Sequence, residues 1–238
     1  SAMPGFGGYP KEDDGKAELL AIDGKTGKIL RCLYPSTGSK AVLGDMSVAH
    51  DGSIYISDSV GGGVYRVRGE LTNSTLEKIA GDLFSPQTPA LARDGRRLFV
   101  ADYPMGIAIV NLKRQDDSST RGNNPAPQAG TLEYLRHPAN IAVTGLDGLC
   151  LYQDSLIGIQ NGTEPARIVR YRLNHSQTEI LSAEVIEQST DRLGEPTHVI
   201  ELDGWFYVTG NVGWDKIDDS GALKAGQQFT PPTLLRFH

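Results

Sequence analysis

The chain repeats one short pattern: an apolar strand, a tight polar turn and a second strand that ends on a polar residue. The pattern occurs at residues 46–58, 89–102, 149–161 and 198–211. Its turns begin at Asp51, Asp94, Asp154 and Asp203, which lie 43, 60 and 49 residues apart. Repeats of roughly 40–50 residues with several strands each are typical of β-propellers. The repeat therefore predicts an all-β propeller, in which corresponding residues of each unit surround one central channel.

The length of 238 residues fits a single propeller domain that spans residues 1–238. Residues 1–15 are rich in Gly, Pro and Asp and are predicted to form a loop or tail. Residues 113–130 are polar and cannot bury apolar surface, which predicts a mobile insertion. Residues 182–192 fit either a helix or a strand followed by a loop.

The two ends of the repeat are unequal. Residues 18–34 form a hairpin with no inner strand pair, and the last unit ends on its third strand at residues 233–237. A closed propeller removes its exposed edges by completing the ring. We therefore expect about four and a half blades of a six-bladed propeller, with the remainder missing at the N-terminus.

Charge and composition exclude several functions. The net charge is −6 and the Lys and Arg residues are scattered, which argues against a nucleic-acid partner. No run of 18 apolar residues is present, so no membrane-spanning helix is predicted. The two cysteines, Cys32 and Cys150, fall in apolar strands and fit buried free thiols or one disulfide, and the sequence has no zinc motif.

Polar side chains flank the inner strands of the repeat. Those before or at the start of the first strand are Asp45, Gln87, Asp147, Glu195 and Thr197, and those after the second strand are Asp58, Asp102, Gln160, Asn161 and Asn211. In a propeller both positions reach one mouth of the channel, so carboxylates and amides are expected to converge there. Such a ring suits Ca²⁺, which takes 6–8 oxygen ligands. Alternatively, Asp and Asn at strand ends form turns and cap backbone groups.

A histidine and two aromatic residues lie near the same mouth. His198 follows the loop that leads into the last unit, where it fits either a general base or a hydrogen-bonded core histidine. Tyr103 and Trp214 lie in loops after second strands and are predicted to form an apolar wall for a ligand.

The segments at residues 44–48, 55–59, 98–102 and 147–149 resemble the gluconolactonase, senescence-marker-protein and strictosidine-synthase-like superfamily. The resemblance extends from about Ala17 to the end of the chain. It implies a six-bladed, calcium-dependent propeller with a divalent metal at the channel mouth, and it favours a periplasmic or secreted location. The positions that match metal ligands are Asp58 and Asp147, with Asn161 and Asn211 as amide partners.

The resemblance implies a metal-dependent hydrolase of lactones or esters. A Ca²⁺ ion would polarise the substrate carbonyl, and His198 or a channel carboxylate such as Glu195 would activate water. The substrate would contact Asp45, Gln87, Asp102, Tyr103 and Trp214. One alternative is a non-catalytic scaffold of the NHL type that binds a ligand or a protein across its mouth. Another is a strictosidine-synthase-like condensing enzyme with Glu195 as its acid or base.

Overall fold

A computed structural model describes residues 1–35, 40–68, 75–112 and 130–238. These residues form five antiparallel sheets that follow one another along the chain, which we call blades 1 to 5. Blade 1 consists of β1 (Leu19–Ile22) and β2 (Ile29–Leu33). Blade 2 consists of β3 (Leu43–Val48), β4 (Ile54–Asp58), β5 (Gly63–Val67) and β6 (Glu77–Ala80). Blade 3 consists of β7 (Pro86–Leu91), β8 (Arg97–Asp102), β9 (Gly106–Asn111) and β10 (Leu132–Tyr134).

The two remaining blades follow the same order. Blade 4 consists of β11 (Leu146–Tyr152), β12 (Ser155–Gln160), β13 (Arg167–Leu173) and β14 (Ile180–Gln188). Blade 5 consists of β15 (Val199–Leu202), β16 (Trp205–Gly210) and β17 (Thr233–Phe237). In each of blades 2 to 5 the strands pair in chain order. The predicted all-β propeller architecture is confirmed, whereas a total of six blades stays a prediction.

Apolar side chains on both faces of the middle strands hold neighbouring blades together. Successive side chains of a strand point to opposite faces of its sheet. In β8, Leu98 and Val100 pack against blade 2, and Phe99 and Ala101 pack against blade 4. Similar clusters join blade 1 to blade 2 and blade 4 to blade 5. This double burial explains why the second strand of each unit reads as a nearly continuous apolar run.

The predicted polar turns join the first and second strands of blades 2 to 5. In blade 5 both turn residues, Asp203 and Gly204, have positive φ angles of 53° and 77°. This is the backbone that two-residue hairpin turns require, and Asp followed by Gly favours it. The turns place one end of every inner strand, β3, β7, β11 and β15, at the end of the channel opposite the mouth.

The N-terminal residues connect blade 2 with the loop that follows β16. The Ser1 hydroxyl accepts a hydrogen bond from Leu43 N at 2.9 Å, and Gly7 N donates to Ser220 O at 3.2 Å. The Phe6 ring lies against Trp214, with 6.2 Å between the ring centroids. Residues 1–15 therefore run from the first four-stranded blade to the last blade.

Helical structure in the described parts of the chain is limited to the 3₁₀ turns Lys11–Asp13 and Trp214–Lys216, so none of it could cross a membrane. Residues 182–192 adopt the second of the two predicted alternatives, because β14 pairs with β13 as far as Gln188. Cys32 and Cys150 are free thiols. Of the predicted mobile insertion at 113–130, only Gly130 lies within the described residues.

Candidate functional site

A β-bulge opens the inner strand of each four-stranded blade. The pairing register shifts between Leu43 and Met46 in blade 2 and at the matching places in blades 3 and 4. A bulge adds an unpaired residue to one strand and redirects the side chains beside it. The bulged segments carry Asp45 in blade 2, Gln87 and Thr88 in blade 3 and Asp147 in blade 4, so each of these three blades has a polar side chain in its bulge.

The Asp45 carboxylate and the His198 imidazole lie within hydrogen-bond distance of each other across the mouth. The His198 Nδ1 atom lies 3.1 Å from Asp45 Oδ1, and the Thr88 hydroxyl donates to Asp45 Oδ2 at 2.7 Å. The Asp45 side chain is only 10% exposed, whereas that of His198 is 52% exposed. Burial raises the pKa of Asp45, and the neighbouring His198 and Thr88 oppose that rise. A buried carboxylate therefore orients a half-exposed imidazole.

The backbone of blade 5 fixes His198 in this place. His198 N donates to the Thr209 hydroxyl at 3.1 Å, and His198 O accepts from Thr209 N at 3.0 Å. Blade 5 packs against blade 4, and β15 contacts β11, so this contact helps to set the position of β15 and of His198 beside it. Gly148 permits this close contact, since a Cβ atom there would lie 2.5 Å from Thr197 O.

Asp147 belongs to a second hydrogen-bonded group at the mouth. Its Oδ2 accepts from Asn161 Nδ2 at 2.8 Å, and Asn161 Oδ1 accepts from the Tyr103 hydroxyl at 3.1 Å. Burial, followed by the negative charge of Asp45, raises the pKa of Asp147 to about 6, while Asn161 and His198 oppose that rise. Burial and the Asp147 charge also raise the pKa of Tyr103. The surroundings of Asp147 therefore favour its protonated form, and its charge interacts with those of Asp45 and His198.

Glu195 lies at the rim of the same mouth, in the loop before β15. Its Oε2 accepts a hydrogen bond from Asp215 N at 3.0 Å. Burial raises the pKa of Glu195, and its charge contributes to the raised pKa of Asp147. The adjacent Trp214 side chain is partly exposed and contacts Phe6. The backbone hydrogen bond directs the Glu195 carboxylate toward the rim loop.

The last residues of the second strands have a repeated structural role. In blade 2, Asp58 Oδ1 accepts from Val42 N and Gly61 N, both at 2.8 Å. In blade 3, Asp102 accepts from Ser85 N at 2.8 Å and from the Tyr134 hydroxyl at 2.6 Å. In blade 4 the amide of Gln160 donates to two backbone carbonyls of the corresponding loop. These side chains fasten the loop that leads into the inner strand of their own blade.

Two other predicted site residues also form hydrogen bonds within their own blades. The amide of Asn211 donates to the Thr230 hydroxyl at 2.6 Å and to Pro231 O at 2.9 Å. Gln87 Nε2 donates to the Ser85 hydroxyl at 3.0 Å. The structure therefore brings together Asp45, His198, Asp147, Asn161 and Tyr103, and it holds Asp58, Asp102, Asn211 and Gln87 in local hydrogen bonds.

The predicted metal ligands do not fit a Ca²⁺ ion in this arrangement. Among the described residues, no group of three or more His, Cys, Asp or Glu side chains is placed to hold a metal. The Asp58 carboxylate accepts backbone N–H groups, and Asp147 and Asn161 bind each other. Ca²⁺ requires at least six oxygen ligands. The Ca²⁺ site therefore stays a prediction.

Sequence reasoning did not assign a role to Thr88, although the repeat contains the signal. Thr88 lies two residues after the first residue of β7, as Asp45 does in β3, and each lies within the bulge of its own strand. His198 directly precedes β15. Asp45, Thr88 and His198 each directly precede the residue that pairs with the second strand two positions before its end. An alignment of the blades by this pairing would have grouped the three residues.

Comparison with known proteins supports the fold. No family model and no curated protein sequence matches the chain. A glucose dehydrogenase-like protein of Thermus thermophilus is 15% identical with a TM-score of 0.56, over 93% of this chain and 74% of that one. A 6-phosphogluconolactonase-like protein of Bacteroides uniformis is 12% identical with a TM-score of 0.54, over 94% and 68%. The Cps50 (Swd1) β-propeller domain of Myceliophthora thermophila is also 12% identical with a TM-score of 0.54, over 94% and 66%. The protein therefore has the β-propeller fold, and membership of the gluconolactonase-like family stays a prediction.

Proposed function

We propose that the protein hydrolyses lactones or esters at the channel mouth, with His198 as the general base. The observation that carries this proposal is the buried Asp45 carboxylate beside the exposed His198 imidazole. A carboxylate only accepts hydrogen bonds, so the proton of a neutral imidazole lies on Nδ1. The lone pair of Nε2 is then available to take a proton from water.

The reaction needs one water molecule and no other reactant. The water oxygen forms a bond to the carbonyl carbon while its proton passes to Nε2 of His198. The bond between this carbon and the leaving oxygen then breaks, and the proton on Nε2 passes to the leaving oxygen. A buried carboxylate that orients the histidine and stabilises its charged form is the arrangement found in catalytic triads.

Asp147 supports the same step electrostatically. Above its pKa of about 6 the Asp147 side chain is negatively charged and interacts favourably with a protonated His198. The imidazolium formed during proton transfer is therefore stabilised by two carboxylates, Asp45 directly and Asp147 through space. Asn161 and Tyr103 hold Asp147 in position, which makes them positioning residues.

The fold leaves a second function open. The lactonase-like neighbour supports hydrolysis on this architecture, but the dehydrogenase-like neighbour shows that the architecture does not decide the chemistry. A non-catalytic scaffold that binds a ligand or a protein is the second candidate, favoured by the cavity of about 930 Å³ among the inner strands and their hairpin turns. Participation of Ca²⁺ in the hydrolysis is a separate proposal. The hydrogen bonds that Asp58, Asp147 and Asn161 make to other groups argue against it.

The decisive experiment compares two histidine variants with simple lactones and aryl esters, followed in a pH-stat. His198→Gln should lower kcat by about 10²–10⁴-fold, because it removes the general base. His175→Gln is the matched control, since this residue lies in an exposed turn of blade 4. Wild-type activity that survives in His198→Gln contradicts the proposed base, and absence of wild-type hydrolysis favours the scaffold.

A further inference from the structure

The hydroxyl of Thr88 is committed to the Asp45 carboxylate. It donates to Asp45 Oδ2 at 2.7 Å, while His198 Nδ1 lies 3.1 Å from the other oxygen, Oδ1. A threonine hydroxyl carries one proton, so this bond uses the only proton that the Thr88 side chain can donate. Among the residues that the structure describes, no further group donates a hydrogen bond to this carboxylate. Its two oxygens are therefore held from two different blades.

Burial makes the hydroxyl important for the carboxylate. Thr88 is 8% exposed and the Asp45 side chain is 10% exposed, so water does not readily replace the hydroxyl as a donor. A hydrogen bond to a charged group stabilises the charged form by about 10–100-fold. Without the hydroxyl, Asp45 Oδ2 would stay buried with no donor, and the orientation of the carboxylate would no longer be fixed.

The local sequence makes Thr88 a rigid donor. Pro89 follows it, and a residue before proline is confined largely to extended backbone conformations. Threonine is also branched at Cβ, which restricts rotation about χ1. The Asp102 carboxylate accepts hydrogen bonds from Phe84 N and Ser85 N and so fastens the loop that leads into β7. The hydroxyl is therefore held in place before any ligand binds.

We propose that Thr88 is a positioning residue that fixes the Asp45 carboxylate and, through it, the proton of His198. The bond to Oδ2 turns Oδ1 toward Nδ1 of the imidazole. Because a carboxylate only accepts hydrogen bonds, this orientation keeps the proton of the neutral ring on Nδ1 and leaves the lone pair on Nε2. The position of the proton is independent of catalysis, whereas its effect on the rate rests on the proposed function.

Nitrogen-15 NMR of the His198 ring reads the position of this proton directly. Spectra are recorded near pH 9, where the imidazole and the nearby carboxyl groups of Asp147 and Glu195 have lost their acidic protons. His198→Gln assigns the signal among the five histidines. The wild-type ring should carry its proton on Nδ1. In Thr88→Val, which keeps the shape of the side chain but removes the hydroxyl, a large share of the proton should move to Nε2.

Kinetics with lactone or ester substrates give the second measurement. Thr88→Val should lower kcat about tenfold and leave KM unchanged, because the position of the proton matters in proton transfer and not in substrate binding. Thr88→Ser keeps the hydroxyl and should recover both kcat and the proton on Nδ1. Thr88→Ala differs from the serine variant only by the hydroxyl, so it replaces the valine variant if that protein does not fold.

Thr26→Val is the matched control. The Thr26 hydroxyl also donates to a carboxylate at 2.7 Å, that of Asp23, but it lies in the turn between β1 and β2. This variant should leave both the His198 proton and kcat unchanged.

The inference would be overturned by a proton that stays on Nδ1 of His198 in Thr88→Val, or by a proton on Nε2 in the wild type. Equal losses in Thr88→Ser and Thr88→Val would also overturn it, because they would reflect packing rather than the hydroxyl. A proton that moves in Thr88→Val, in a protein that hydrolyses no lactone or ester, would leave the inference standing and reject the proposed function.

Discussion

Replacing Asp147 by Asn should stabilise the protein, and the gain should depend on pH. Burial and the Asp45 charge raise the pKa of Asp147 from 3.8 to about 6 in the folded protein. The fold therefore favours the protonated carboxyl group. The stability contributed by this group is present below its unfolded pKa near 4 and is lost as the pH rises through about 6.

The expected size follows from the shift. A shift of about two pKa units corresponds to about 3 kcal/mol, which is the cost of the charged Asp147 in the folded state above pH 7. Asn is neutral at every pH and can still accept the hydrogen bond from Asn161. Asp147→Asn should therefore match the wild type near pH 4 and exceed it by up to about 3 kcal/mol at pH 8.

Urea unfolding of both proteins between pH 4 and pH 8 measures this difference directly. Taking the difference at each pH cancels the groups that the two proteins share. Asp51→Asn is the control of opposite sign, because the Ser53 backbone N–H lowers the pKa of Asp51. That variant should lose stability at neutral pH. The reasoning would be refuted if Asp147→Asn were no more stable than the wild type at pH 8, or if its gain in stability were the same at every pH.

Three further changes test the remaining parts of the site. Removal of divalent metals with EDTA should leave hydrolysis unchanged, because the predicted ligands are hydrogen-bonded elsewhere; a loss of rate that Ca²⁺ restores would contradict this. Asp102→Ala should lower the free energy of unfolding by about 2–4 kcal/mol in urea titrations, since it leaves Phe84 N and Ser85 N without their buried acceptor. Gly148→Ala should cost about 1–3 kcal/mol and also lower kcat, because its Cβ pushes β15 and His198 away from β11; wild-type values of both would show that the strands adjust freely.

The sheets could be predicted because their signals are local. Each of the four turns predicted at Asp51, Asp94, Asp154 and Asp203 joins two paired strands in the structure. A polar turn between two apolar runs needs no information from distant residues. Residues 182–192 were ambiguous for the opposite reason, because pairing with β13 selects the strand over the helix.

The site was only partly predictable because the bulges are not visible in the sequence. A shift of one residue in a strand moves each side chain to the other face. The sequence therefore shows that polar residues gather near strand ends, but not which of them face the channel. The structure separates Asp45, which lies in a bulge and meets His198, from Asp58, which caps the backbone of its own blade.

The difference between the strand-end position and the bulge position also explains how repeated blades can form a single site. In blades 2 to 4 the strand-end side chains of Asp58, Asp102 and Gln160 make hydrogen bonds to the loop that leads into the inner strand, so these side chains vary little in character. The bulge position carries no such bond within the blade, and it holds Asp45 in blade 2, Thr88 in blade 3 and Gly148 in blade 4. Because no hydrogen bond within the blade depends on this position, its side chains can differ from blade to blade. That asymmetry allows an otherwise repetitive ring to place one carboxylate, one hydroxyl and one imidazole in contact at a single point.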